Sequence, residues 1–162
     1  MTNLTIWVLL MPLLGFIILG LIGRALPHRA ILAVALGASG LAFLFTAISF
    51  FSMLGTTPAS ARLSDQVFYT WINSGVTVGI APLSISFGLL LDPLSATMLM
   101  VVTGVGFLIH IYSAGYMEED SGFWRFFCYM NFFIFAMTLL VSADNFLFLL
   151  IGWGLVAWLR SC

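Results

Sequence analysis

Residues 89–117, LLLDPLSATMLMVVTGVGFLIHIYSAGYM, constrain the fold more than any other stretch of the chain. They are long enough to cross a bilayer, because a spanning helix needs roughly 20 mostly apolar residues. They are not uniformly apolar. Asp92, Ser95, Leu99, Thr103, Gly106, His110 and Ser113 recur at steps of three and four. At about 3.6 residues per turn they make one narrow stripe, small or polar everywhere except Leu99. The other faces carry Leu91, Leu94, Met98, Val101, Val105 and Leu108. Lipid tolerates those faces and rejects the stripe. The stripe is therefore expected to face other helices or internal water.

Asp92 and His110 stand towards the two ends of this stripe, about five turns or roughly 27 Å apart. They cannot touch, but they can terminate a polar seam, and both are candidates for a proton path. Asp92 also reads as a helix N-cap, with Pro93 at the first helical position. His110 leaves two readings open. An ionisable group inside a spanning helix is costly and often functional. It can equally be a buried histidine held by a hydrogen bond. Ser95 and Thr103 on the same stripe read as polar helix-packing residues.

Composition sets the class. The chain has 162 residues, of which 62% are hydrophobic and only 7% charged, and its mean hydropathy is +1.18. Soluble domains carry about 25% charged residues, so the expected class is an all-α integral membrane protein. There is no lysine, and the net charge is −1, which argues against nucleic-acid binding. Cys128 and Cys162 form no metal or redox motif, and two distant histidines give no metal constellation.

In order along the chain, five helices are expected, over about 4–23, 30–54, 89–117, 123–142 and 146–159. The first lacks a charged leader region and reads as a retained helix, with Pro12 inside it. Arg24, Pro27, His28 and Arg29 form a basic loop. Small residues from Ala35 to Gly40 suit close packing of the second helix. Residues 66–87 read as a β-hairpin at the membrane surface. Residues 66–72 are β-prone and aromatic, Asn73-Ser74-Gly75 is a turn signal, and 76–80 and 83–87 alternate with period two. Tyr69 and Trp71 suit headgroup level. Glu118, Glu119 and Asp120 read as a solvated acidic turn. In the fourth helix Cys128, Asn131, Phe135, Thr138 and Ser142 share one side, and Asn131 is expected to hydrogen-bond to a neighbouring helix. Asp144 is a candidate cap for the fifth helix, which at about 21 Å is short for a core of roughly 30 Å.

Orientation follows from the arginines. With an external N-terminus, Arg24, Arg29, Arg125 and Arg160 lie on the cytoplasmic side and only Arg62 outside, which also puts the hairpin outside. No nucleophile elbow, phosphate loop, zinc helix motif or dinucleotide fingerprint is present. Gly104-Val105-Gly106 is a lone GxG that packing explains. No residue pattern points to bond chemistry within the chain.

The run Leu91-Asp92-Pro93-Leu94-Ser95, followed by Val101 to His110 (VVTGVGFLIH), resembles the N-terminal part of the antiporter-like subunit L family of NADH-quinone oxidoreductase, respiratory complex I. Tyr116-Met117, Arg125-Phe126-Phe127, Ala143-Asp144-Asn145 and Gly152-Trp153 extend the resemblance in order, so that it covers about residues 4–156. It implies a membrane-arm subunit in a cell inner (plasma) membrane, partnered by other membrane-arm subunits. The implied activity is proton translocation coupled to electron transfer from NADH to quinone. NADH and quinone would be used by the complex, with no cofactor bound by this chain. Family members are far longer. Their proton path uses a glutamate on the fifth helix, and the matching position here, after Gly152-Trp153, is Gly154. Their lysines lie on later helices, beyond residue 162. The sequence after Val156 departs from the family pattern, so the chain reads as a truncated product, inactive alone. Two other readings share these features: a subunit of a multisubunit Na+/H+ antiporter or membrane hydrogenase, and a membrane fragment or scaffold without transport.

Overall fold

The computed structural model describes residues 2–55, 64–73, 84–117, 120 and 122–159. Helix α1 spans Thr2–Ile22 and runs on through Pro12. A short 3-10 turn, Gly23–Ala25, leads to α2, His28–Leu54. Strands β1, Ser64–Asn73, and β2, Ser84–Leu91, follow. Then come α3, Pro93–Tyr116, α4, Phe123–Val141, and α5, Phe146–Leu159. The first four helices are long and apolar enough to cross a membrane, and α5 is shorter. The chain is an all-α multi-pass membrane protein with one surface ribbon.

That ribbon is an antiparallel pair, with Ser64 opposite Leu91 and Asn73 opposite Ser84, and its register slips after Val67 and again after Thr70. The expected strand at 76–80 lies outside the described residues. The ribbon is tied down at its far end, where the Leu90 N–H donates to the Ser142 carbonyl at 3.0 Å. This corrects the expected start of the third helix. Residues 89–91 are strand, and the helix begins at Pro93. A short leucine run satisfies either period, and the pairing partner decides.

Helix α4 is central and packs against α1, α2, α3 and α5. Its neighbours bury Leu19, Ile31 and Ala35 against Phe123, Phe127 and Cys128. At the ribbon end, Met53, Leu91, Ala96 and Leu99 form a second buried cluster. Helices α2 and α3 pack by exchange. Phe107 of α3 lies over Gly40 of α2, and Phe43 of α2 lies over Gly104 of α3. The two rings stack at 6.2 Å with an interplanar angle of 12°. A glycine facing an aromatic ring lets two helices approach without help from hydrophobic hydration, which is absent between helices in lipid.

Candidate functional site

The polar stripe of α3 lies inside the bundle. Leu99, Thr103, Gly106, His110 and Ser113 are buried, while Leu94 and Leu108, on the other faces, are 69% and 64% exposed. Asp92 caps the helix, its Oδ1 accepting from the Ser95 N–H, with Pro93 in the first turn. Hydrogen bonds from Ser95, first from its side chain and then from its backbone, hold the Asp92 carboxyl below its ordinary range. Asp92 is thus engaged in starting the helix, and Ser95 is its partner.

Several buried polar side chains in the spans are satisfied one turn back on their own helix. Thr103 Oγ1 donates to the Leu99 carbonyl at 2.7 Å, and Thr138 Oγ1 to Phe135 at 2.8 Å. Ser39 and Thr46 of α2 do the same to Ala35 and Ala42. Such back-bonding lets a hydroxyl sit in hydrocarbon without a partner helix. Thr103 and Thr138 thus donate their hydroxyl protons within their own helices.

His110 and Asn131 are only half satisfied. His110 is fully buried, and its Nδ1 lies 2.8 Å from the Gly106 carbonyl oxygen. A carbonyl only accepts, so Nδ1 carries the proton and the neutral ring presents Nε2 as a bare acceptor. Among the described residues that Nε2 has no hydrogen-bond partner. Asn131 is also fully buried. Its Nδ2 donates to the Phe127 carbonyl at 2.9 Å, and its Oδ1 has no partner among the described residues. The expected bond from Asn131 to a neighbouring helix is not made. The amide turns its donor to its own helix and its oxygen towards α1, where a Cβ on Gly15 would lie 2.9 Å from Oδ1.

The two residues flank one side chain. The His110 ring packs on the Phe127 ring at 5.8 Å, and Asn131 holds the Phe127 backbone. Gly106, one turn before His110, lies against Ile134 of α4. Helices α1, α3 and α4 thus enclose two bare acceptors around Phe127. Both suit an O–H donor such as water, and burying such an atom without a partner costs on the order of 1–3 kcal/mol. His110 is the only buried basic side chain among the described residues. Asp92 is not brought near it, and α3 carries no titratable side chain between them. Among the described residues no three His, Cys, Asp or Glu side chains converge to hold a metal.

Sequence reasoning missed Gly15 and the orphaned oxygen opposite it. Gly15, one of two glycines in an otherwise apolar α1, was the available signal. At the start of α5, Phe146, the structure adds a contact not read from the sequence: the Asn145 Oδ1 accepts from the Phe148 N–H at 3.2 Å.

A family model described as NADH-ubiquinone oxidoreductase (complex I), chain 5 N-terminus, matches residues 76–127. Three similar relatives are each named NADH-quinone oxidoreductase subunit L. That of Buchnera aphidicola (Schizaphis graminum) is 39% identical over 96% of this chain. That of Escherichia coli K12 is 39% identical over 93%, and that of Mycobacterium tuberculosis H37Rv is 42% identical over 94%. The match covers 24%, 23% and 24% of those relatives, so the chain spans about a quarter of their length. The resemblance read from the sequence holds as a similarity: nearly the whole chain is similar to about a quarter of proteins named NADH-quinone oxidoreductase subunit L, and residues 76–127 match the complex I chain 5 N-terminus model.

Proposed function

We propose that this chain supplies the N-terminal helices of a proton-translocating, antiporter-like subunit in the membrane arm of an NADH-quinone oxidoreductase. The observation that carries the reading is identity of 39–42% with subunit L over nearly the whole chain. In this reading the partners are other membrane-arm subunits. NADH and quinone act elsewhere in the complex, and this chain binds no cofactor. The N-terminus and the ribbon face outward, as the arginine distribution favours.

Within the chain, His110 is the proton-path candidate and Asp92 marks the outer end of the seam. A relay needs groups that water or side chains can bridge, and about 27 Å of α3 separates these two. The chain alone therefore moves no protons. The position where family members carry a glutamate is open: a Cβ on Gly154 would meet nothing within 4 Å.

The test exchanges the matching segment of the Escherichia coli subunit for residues 4–156 of this chain, with and without Gly154→Glu. NADH-driven acidification of inverted vesicles is then followed with a pH-sensitive dye. Both chimeras are expected to assemble, and only the glutamate form to pump. Failure of both to assemble, or no pumping by the glutamate form, would overturn the reading; pumping by the Gly154 form would show that the glutamate is not needed.

A further inference from the structure

An open cleft of about 490 Å³ lies where the 3-10 turn after α1 meets the start of α2 and the start of α4. Among the described residues Arg24, His28 and Arg125 line it, with one carboxylate, Asp120. The Asp120 Oδ1 is occupied, accepting from the Gly122 N–H at 2.7 Å. Both helices that start here lack a side-chain cap, α2 behind Pro27 and α4 behind Gly122. Their first-turn N–H groups add positive potential to that of the two arginines. The basic groups are also held. The Arg125 guanidinium lies over the Trp124 ring at 5.3 Å, and the His28 ring packs on Phe123 at 4.7 Å.

The cleft sits at the ends of three spanning helices, which is headgroup level. Immediately before it on α1, Leu21 and Ile22 are 80% and 53% exposed. A ligand seated here meets positive charge at one end and bare hydrocarbon at the other. We propose that this cleft binds the phosphate of an anionic phospholipid, with Arg24 and Arg125 on the phosphate and an acyl chain along Leu21 and Ile22. Basic clefts between spanning helices are suited to such headgroups. Free phosphate shares the charge but has no use for the apolar flank, and that difference selects the lipid.

The test is native mass spectrometry of the purified 162-residue chain in detergent, titrated separately with phosphatidylglycerol, phosphatidylcholine and inorganic phosphate. Phosphatidylglycerol is expected to be retained about tenfold more than phosphatidylcholine. Arg24→Gln with Arg125→Gln should bring it down to the phosphatidylcholine level. Arg29→Gln, at an exposed arginine in the first turn of α2 outside the cleft, should leave retention unchanged. Circular dichroism checks that each variant keeps its helices; a double variant that loses them is replaced by Arg24→Lys with Arg125→Lys, which should retain the lipid. Equal retention of the two lipids would overturn the proposal. So would a loss with Arg29→Gln as large as with the double variant, or inorganic phosphate displacing the lipid.

Discussion

The face that α3 turns to α2 and the face it turns to α4 are packed by different means. Towards α2 the main contact is aromatic, with two phenylalanines exchanged over two glycines. Towards α4 it is polar, with His110 and Asn131 each leaving one acceptor without a partner among the described residues around Phe127. The aromatic exchange itself uses no polar atom, although at the ribbon end Ser49 of α2 also buries an unpartnered Oγ among the described residues. The polar face costs stability unless an O–H donor joins it, so it is the face with a reason other than packing.

The largest break in this comparison is expected at Gly15. A Cβ there would lie 2.7 Å from the Ala38 Cβ and 2.9 Å from Asn131 Oδ1, neither of which can swing away. Gly15→Ala should cost about 2 kcal/mol, the scale of overpacking, read as a fall in the denaturant midpoint of the reconstituted chain. Adding Asn131→Ala should recover part of that loss, because one of the two clashes is then gone. Strict additivity of the two changes would deny that Gly15 and Asn131 touch.

A smaller effect is expected on the aromatic face. A Cβ on Gly104 would meet the Phe43 ring at 3.1 Å, and a ring can shift by a few tenths of an ångström. Gly104→Ala should cost about 1 kcal/mol. A loss larger than that of Gly15→Ala would reverse the ranking of the two faces.

Asp92 sharpens the comparison at the ribbon end, where the polar group is satisfied. Asp92→Ala should cost about 1 kcal/mol at neutral pH, the scale of a lost N-cap. Because Ser95 lowers the Asp92 pKa in the folded chain below its ordinary 3.8, the stabilisation is fully present above that value. It is lost as pH falls below 3.8 through the lowered folded value. Asp92→Asn can still cap but cannot titrate, so its acid limb should be shallower than that of the parent chain. Superimposable limbs would remove Asp92 from the acid response.

Smallest of all should be Gly154→Ala, within about 0.5 kcal/mol of the parent, because nothing lies within 4 Å of the new methyl. A large loss there would mean that α5 packs more closely than its open surface indicates.

Much of this was legible in the sequence, for a physical reason. Periodicity reports which face is buried, so the spacing of residues alone marks the stripe from Leu99 to Ser113 and the buried side of α4. The Asp92-Pro93 cap is local chemistry and was equally plain. The start of α3 was not, because residues 89–91 are leucines that suit strand or helix, and only pairing with residues 64–66 decides. The Gly–Phe exchange between α2 and α3, the choice of Asn131 to bond its own helix, and the meeting of Arg24 with Arg125 are all tertiary. Each joins or chooses between residues on different helices, and one chain read linearly carries no record of such pairings.

The account stands on His110 being inside the bundle with its proton on Nδ1. Nitrogen-15 NMR of the ring, in the chain reconstituted into lipid, reads both facts at once. The expected result is a neutral ring protonated on Nδ1, with no cross-peak to acyl-chain protons and with contacts to Phe127. A ring protonated on Nε2 alone, or one in contact with acyl chains, would contradict the account.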